Sequence, residues 1–251
     1  MPRALLRAAH LFVTGVVTVS LGACGGLPPA LPAEPARILL LGEQHDAPAH
    51  PGLQQARVEA LAREGRLAAL VLEMAEQGRS TRGLGRDAGE AAVREALAWN
   101  DDAWPWARYG AVVMAAVRAG VPVAGANLPM SALRARGADV SLDARLSPAA
   151  LATQQAAVRD GHCGLLPEAR LPAMTRMQIA RDIALAETLA AQAAPGRVVL
   201  LVAGGGHVRT DIGVPVHLPP SLAVQAEQLP PHDSGRDHCA ELRQQWQAPR
   251  R

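Results

Sequence analysis

Arg37-Ile38-Leu39-Leu40-Leu41, running on into Gly42-Glu43-Gln44-His45-Asp46, is the stretch that decides the fold. A short apolar run that stops at a glycine and then turns polar reads as a strand buried on both faces. Three more such runs follow, at residues 67–72 (LAALVL), 121–126 (VPVAGA) and 198–203 (VVLLVA). Residues 221–229 read as a fifth strand. The intervals at 51–64, 90–99, 104–119, 147–160 and 171–193 read as helices. Ser147-Pro148 supplies an N-cap followed by a proline at the first helical position. Residues 77–89 are polar and rich in Gly and Arg, and read as a loop. Strands that alternate with helices predict an α/β fold, a mainly parallel sheet flanked by helices. There is no internal repeat, so one domain is expected over residues 37–240, with 241–251 as a C-terminal tail.

The chain has 251 residues, enough for one domain plus a leader. Hydrophobic residues make up 49% and charged residues 19%, which places the body of the chain among globular rather than disordered sequences. It contains no lysine; every one of its 25 basic residues is arginine. Schiff-base chemistry and a lysine-bearing phosphate loop are therefore excluded. Without Arg3 and Arg7 of the leader, 23 arginines face 23 acids, and this neutral balance gives no reason to expect nucleic acid as a partner.

Residues 1–23 read as an export signal. Arg3 and Arg7 form a basic start, and residues 11–21 (LFVTGVVTVSL) an apolar stretch of signal-peptide length. Leu21-Gly22-Ala23-Cys24 ends it and resembles the lipobox of bacterial lipoproteins. In that motif small residues admit a peptidase, and the thiol of the new N-terminus is acylated. Cys24 is thus the expected lipidation site, with palmitate among the attached chains. Each buried methylene of such a chain contributes roughly 0.8 kcal/mol to membrane attachment. Residues 24–36, rich in Gly, Pro and Ala, read as a tether. Gly25-Gly26, with no Asp after the cysteine, resembles the outer-membrane sorting pattern, so the expected place is the cell envelope, periplasm- or surface-facing. Cys163 and Cys239 remain. An even count in an oxidising compartment favours a disulfide, and the rival is a metal site built with His162 and His238.

Polar residues gather after the strand ends, where open α/β sheets bind ligands. The first strand leads into Glu43, His45 and His50, the second into Glu73, the third into Asn127. The fourth leads into Gly204-Gly205-Gly206-His207, then Arg209 and Asp211. Buried carboxylates need cations or hydrogen-bond donors to offset desolvation. Glu43, His45, Glu73 and His207 could therefore form an acid/base set, or His45 and His207 could hold a divalent metal. No H-E-x-x-H, no G-x-S-x-G and no dinucleotide-binding glycine pattern follows the first strand.

These segments resemble the ChaN-like haem-binding lipoproteins, within a wider group that includes Tiki and TraB proteins and erythromycin esterases. The matching pieces are LLGEQHDAPAH (residues 40–50), VLEM (71–74), GANLP (125–129), GHCGLLP (161–167), MQIARDIA (177–184) and AGGGHVRTDIGVP (203–215). The resemblance implies the α/β fold of that group and haem binding in iron uptake, at a face shared by a homodimer. It also implies partners such as an outer-membrane haem or siderophore receptor. The residues it points to for haem are His45, His50, Tyr109, Asn127, His207 and Arg209; Gln178, Asp182 and His162 also match family positions. Members often carry an Arg and a Tyr after the N-x-P, whereas this chain reads Met130-Ser131-Ala132. The wider group implies the alternative, a metal- or Glu/His-dependent hydrolase, esterase- or peptidase-like, that uses Glu43, His45, Glu73 and His207 as catalytic residues in the same pocket.

Overall fold

The computed structural model describes residues 37–247, which fall within one compact unit. The expected signal peptide, tether and Cys24 lie outside the described residues. Five strands form one sheet: β1 (Arg37–Glu43), β2 (Leu67–Glu76), β3 (Val123–Asn127), β4 (Val198–Gly204) and β5 (Ala223–Gln228). Their order is β3-β2-β4-β1-β5, and every pairing is parallel. All ends rich in polar residues therefore emerge on one edge. β4 lies at the centre and is buried along its whole length, as its unbroken apolar run requires.

Side-chain alternation sorts the core into two layers. Leu39, Leu41, Leu70, Leu72, Leu200 and Val202 face helices α1 (His50–Arg63) and α3 (Trp106–Arg118). Ile38, Leu40, Val71, Val199 and Leu201 face the other way, onto Leu185 and Leu189 of the long helix α6 (Leu171–Gln192). The short helix α2 (Glu90–Ala96) packs Val93 into the first layer. It ends at Ala96, three residues short of the expected end at Trp99, because Ala98 adopts the left-handed conformation (φ 46°).

Two helices depart from the sequence reading. Helix α4 (Met130–Gly137) and a 3-10 turn (Val140–Arg145) occupy a span that carries no helical stripe. Only Leu133 and Gly137 of α4 are buried, so its apolar periodicity is too thin to read. Helix α7 (His238–Gln247) takes in most of the expected tail and buries none of its residues. It lacks an apolar face, and a covalent bond fastens it instead.

That bond is the disulfide Cys163–Cys239, which joins α7 to the end of α5 (Pro148–Gly161). Ser147 caps the start of α5 by accepting from the Ala150 amide. Past its end, Cys163 and Gly164 both have positive φ, and their amides return to Asp160 and Arg159 carbonyls. Glycine normally takes the first of these positions. A cysteine here accepts backbone strain to aim its sulfur at Cys239. The bridge closes a loop of 76 residues; restricting that loop stabilises the fold by about 4 kcal/mol in the chain-entropy account. Cys239→Ser should lower urea stability by up to that amount. It should also make trypsin cut first at Arg236 or Arg243, while the sheet stays intact. Unchanged cleavage there would contradict this role.

Candidate functional site

The parity of β1 and β2 sends their terminal carboxylates to opposite faces of the sheet. Glu43 ends β1 in phase with Leu39 and Leu41, so it points to the α1/α3 layer. There Tyr109 donates its hydroxyl to Glu43 Oε1 at 2.6 Å, and Gln54 donates its amide to Oε2. His45, just past the strand, donates Nδ1–H to Oε1 at 2.8 Å. Glu43 is 3% exposed; three donors satisfy its buried oxygens. Tyr109 is pushed up from the ordinary tyrosine pKa by burial first, then by the Glu43 charge, and remains a neutral donor.

Glu73 follows Ala69 and Val71 in phase and points to the α6 layer. Its Oε1 lies 3.3 Å from His207 Nε2, and the Gly204 amide donates to Oε2 at 2.7 Å. His207 Nδ1 in turn meets Asp182 Oδ1 of α6 at 2.5 Å. All three side chains are buried. Burial opposes the charged imidazole, yet Glu73 and Asp182 on either side push the His207 pKa up to about 10. Burial likewise works against the Glu73 carboxylate. The charge and hydrogen bond of His207, helped by His45 and the Gly204 amide, hold it well below the usual carboxylate range. Burial pushes the Asp182 carboxyl up.

The two faces meet at Gly204, the end of β4, which sits between β1 and β2. A Cβ added there would lie 2.8 Å from His45 Nε2 and 3.5 Å from Glu73 Oε2. Only the missing side chain lets the His45 ring reach across the strand end. The ring is braced by the edge of Trp104, with centroids 4.9 Å apart. Burial works against a charge on His45, but the Glu43 hydrogen bond and the Glu73 and Glu43 charges raise its pKa above the ordinary value.

Glu43, His45, Glu73 and His207 line one cavity of about 890 Å³ at the strand ends. Of the other expected contacts, His50 is buried and engaged at both ring nitrogens: Nδ1 accepts from the Gln44 amide, and Nε2 meets the Pro230 carbonyl. Tyr109 stands behind Glu43. Asn127 reaches the site through Arg181, whose Nε donates to Asn127 Oδ1 at 3.0 Å. Arg209 is paired with Asp211 at the surface and is not part of the cavity wall. His207 has a carboxylate at each ring nitrogen, so neither nitrogen offers a free lone pair. Among the described residues, no three or more His, Cys, Asp or Glu side chains group to hold a metal ion.

Sequence reading missed the outer wall, which comes from residues 232–241. His232, Asp233, Ser234, Arg236, His238 and Glu241 all line the cavity. This strap is fastened by Leu229 N to Gly42 O, by His50 to Pro230, and by a double contact in which Gln44 bonds both backbone groups of His232. The motif GEQHDAPAH thus divides its labour. Glu43 and His45 face the cavity; Gln44 and His50 hold the strap. Gln178 is legible as sharing a helix face with Asp182, four residues on, whereas Arg181 is not singled out in the sequence. Both line the cavity.

Linkage fixes how the His207 network depends on pH. The raised pKa of His207 means that its contribution is complete below about pH 6.5 and is lost as pH rises through about 10. The depressed Glu73 contributes above its ordinary value of 4.5 and loses that contribution as acid protonates it. Wild-type stability should therefore decline between pH 6.5 and 10. His207→Gln should lower stability at pH 6 by about 3–5 kcal/mol, since it leaves two buried carboxylates without a cation. It should also flatten that alkaline decline in urea melts at pH 6, 8 and 10. An unchanged slope would contradict the assignment.

Comparison with known proteins adds the family and the fold. The family described as "Haem-binding uptake, Tiki superfamily, ChaN" matches residues 31–218. A solved structure described as "Cofacial heme binding to ChaN of Campylobacter jejuni" is similar in fold, with a TM-score of 0.59 and 22% identity. That likeness covers 79% of this chain and 84% of the Campylobacter chain. No curated protein matches it significantly. With three-quarters of its length matched by the family, and with the parallel sheet those proteins share, this chain belongs to the ChaN family of the Tiki superfamily.

Proposed function

We propose that the protein is an envelope lipoprotein that binds haem for iron uptake, with the iron facing His45 at the strand ends. One observation carries this reading. Among the cavity histidines, His45 alone has one ring nitrogen fixed by a buried carboxylate while the other makes no hydrogen bond. A carboxylate behind an imidazole sets its tautomer and orientation and strengthens it as a ligand. The part-exposed ring is also within reach of a ligand arriving at the cavity mouth.

The donor set fits the iron better than it fits the macrocycle. The cavity walls are charged side chains, amides and glycines, and they offer no apolar slot. The macrocycle would therefore need apolar cover that these walls do not supply. The Campylobacter relative is described as binding haem cofacially. The same arrangement in a homodimer of this chain would supply that cover. Haem supplies the iron and its redox and ligand chemistry; this chain's part is to present His45, hold it through Glu43 and Trp104, and exclude competing contacts.

The hydrolytic alternative draws less from the same geometry. A general base should have a pKa near the working pH. Glu43, an expected base, has both oxygens taken by Tyr109, Gln54 and His45, and the expected partner His207 is held charged between two carboxylates. The network fits a fixed electrostatic support better than a proton acceptor. Membrane attachment through Cys24 belongs to the same proposal. Among the described residues, no helix is long and apolar enough to cross a membrane.

Haemin titrated into the protein should give a shifted Soret band. His45→Ala should abolish that band or weaken binding at least roughly tenfold, and Glu43→Gln should weaken it by roughly 10- to 100-fold. Free-haemin spectra throughout, with the protein folded, would overturn the reading. In cells fed an alkyne-tagged palmitate, the wild type should label and partition with membranes. Cys24→Ser should do neither; labelling that survives the substitution would exclude Cys24 as the anchor.

A further inference from the structure

The cavity contains two arginines, and their engagements differ. Arg236, on the strap, is paired with Glu241 at 2.6 Å. Arg181, on α6, makes no ion pair among the described residues. Its Nε donates to Asn127 Oδ1 at 3.0 Å and its Nη1 to Gln178 Oε1 at 3.3 Å. Both acceptors are neutral amide oxygens. They fix the guanidinium plane without neutralising it, and among the described residues Nη2 has no partner. The adjacent carboxylate does not take it up, because Asp182 Oδ1 turns into the interior to His207. Across the cavity Glu73 is likewise held by His207 and the Gly204 amide.

A positioned, half-buried guanidinium in a cavity wall has one evident use. Its fork matches a carboxylate, and charge-assisted pairs of that kind are the strong hydrogen bonds of binding sites. The placement also separates two tasks. Arg181 stands on the α6 side of the strand ends and His45 on the α1/α3 side. A ligand that reaches His45 with a metal centre can extend an acidic substituent towards Arg181. Arg209, which the family resemblance pointed to for haem, is bound to Asp211.

We propose that Arg181, held by Asn127 and Gln178, is the anchor for a carboxylate group of the ligand bound in this cavity. The proposal refines the haem reading, for which the acidic groups are the two propionates, and its chemistry is that of any carboxylate-bearing ligand. A merely structural Arg181 would tie α6 to the end of β3 and would not care whether a ligand is acidic.

The test compares haemin with haemin dimethyl ester on the full mature chain, wild type and Arg181→Gln. Citrate calorimetry serves as an arm that needs no haem. Wild type should bind haemin roughly 10- to 100-fold more tightly than the ester. Arg181→Gln should bind both as weakly as wild type binds the ester, with the Soret position unchanged. Asn127→Ala, which frees the guanidinium without removing it, should fall in between. If neither haemin form binds but citrate binds wild type and not Arg181→Gln, the anchor stands and the haem reading falls. If wild type does not distinguish acid from ester, or the variant keeps the distinction, the anchor is overturned and the haem reading survives. If neither haemin nor citrate binds, both are overturned.

Discussion

The Gly204 amide donates to Glu73 Oε2 at 2.7 Å, and the space where its side chain would be is filled by the His45 ring. The remaining geometry of the site follows from those two facts. β4 runs between β1 and β2, so its last residue separates Glu43 from Glu73, which point to opposite faces. Any side chain there would form a wall between the two networks. Glycine instead provides a donor for one carboxylate and a floor for the histidine held by the other. The parallel order β3-β2-β4-β1-β5 is what brings residues 43, 73 and 204 side by side, although they are far apart in the chain.

The buried ionic group on the α6 face is costly to assemble. Taking three ionisable side chains out of water carries a penalty of several kcal/mol per ion, repaid only when each has a close partner. Here the histidine lies between two carboxylates, and one of these also takes a backbone amide. Asp182 Oδ2 alone has no partner. An apolar trio of similar volume would serve a pure scaffold at least as well. The group sets one imidazolium between two carboxylates, so it adds no net positive charge to the cavity floor; it locks Glu73 and His207 in fixed positions at the strand ends.

Much of the fold is legible in the sequence. Apolar runs ending in glycine and polar residues fix four strands and, with the helices between them, the parallel sheet. The split of the site follows parity, Glu43 in step with Leu41 and Glu73 with Val71, but the sequence reading places these residues in one set without drawing it. Other parts left no local trace. Helix α4 shows one large buried side chain and so no stripe. Helix α7 buries nothing and depends on a bond to a cysteine 76 positions earlier. The roles of Gln44 and His50 depend on a segment about 180 residues downstream. Arg209 and Arg181 look alike in sequence; only the neighbours, Asp211 for one and two amides for the other, tell them apart.

The matched family span ends at residue 218, and the strap begins beyond it. The cavity floor and its two carboxylate–histidine networks thus come from the matched span, while the outer wall comes from residues 232–241. The floor is rigid because it is built from strand ends and buried pairs. The wall has few buried side chains and is held by backbone contacts, two motif side chains and one disulfide. A site made this way keeps its chemistry when its wall changes. In the proposed function the floor would select the ligand and the wall would cover it. Two of the contacts that hold the wall come from Gln44 and His50, inside the same motif that supplies Glu43 and His45. The residues that bind and the residues that enclose are consequently placed by a single strand end, so a shift of β1 would disturb both at once.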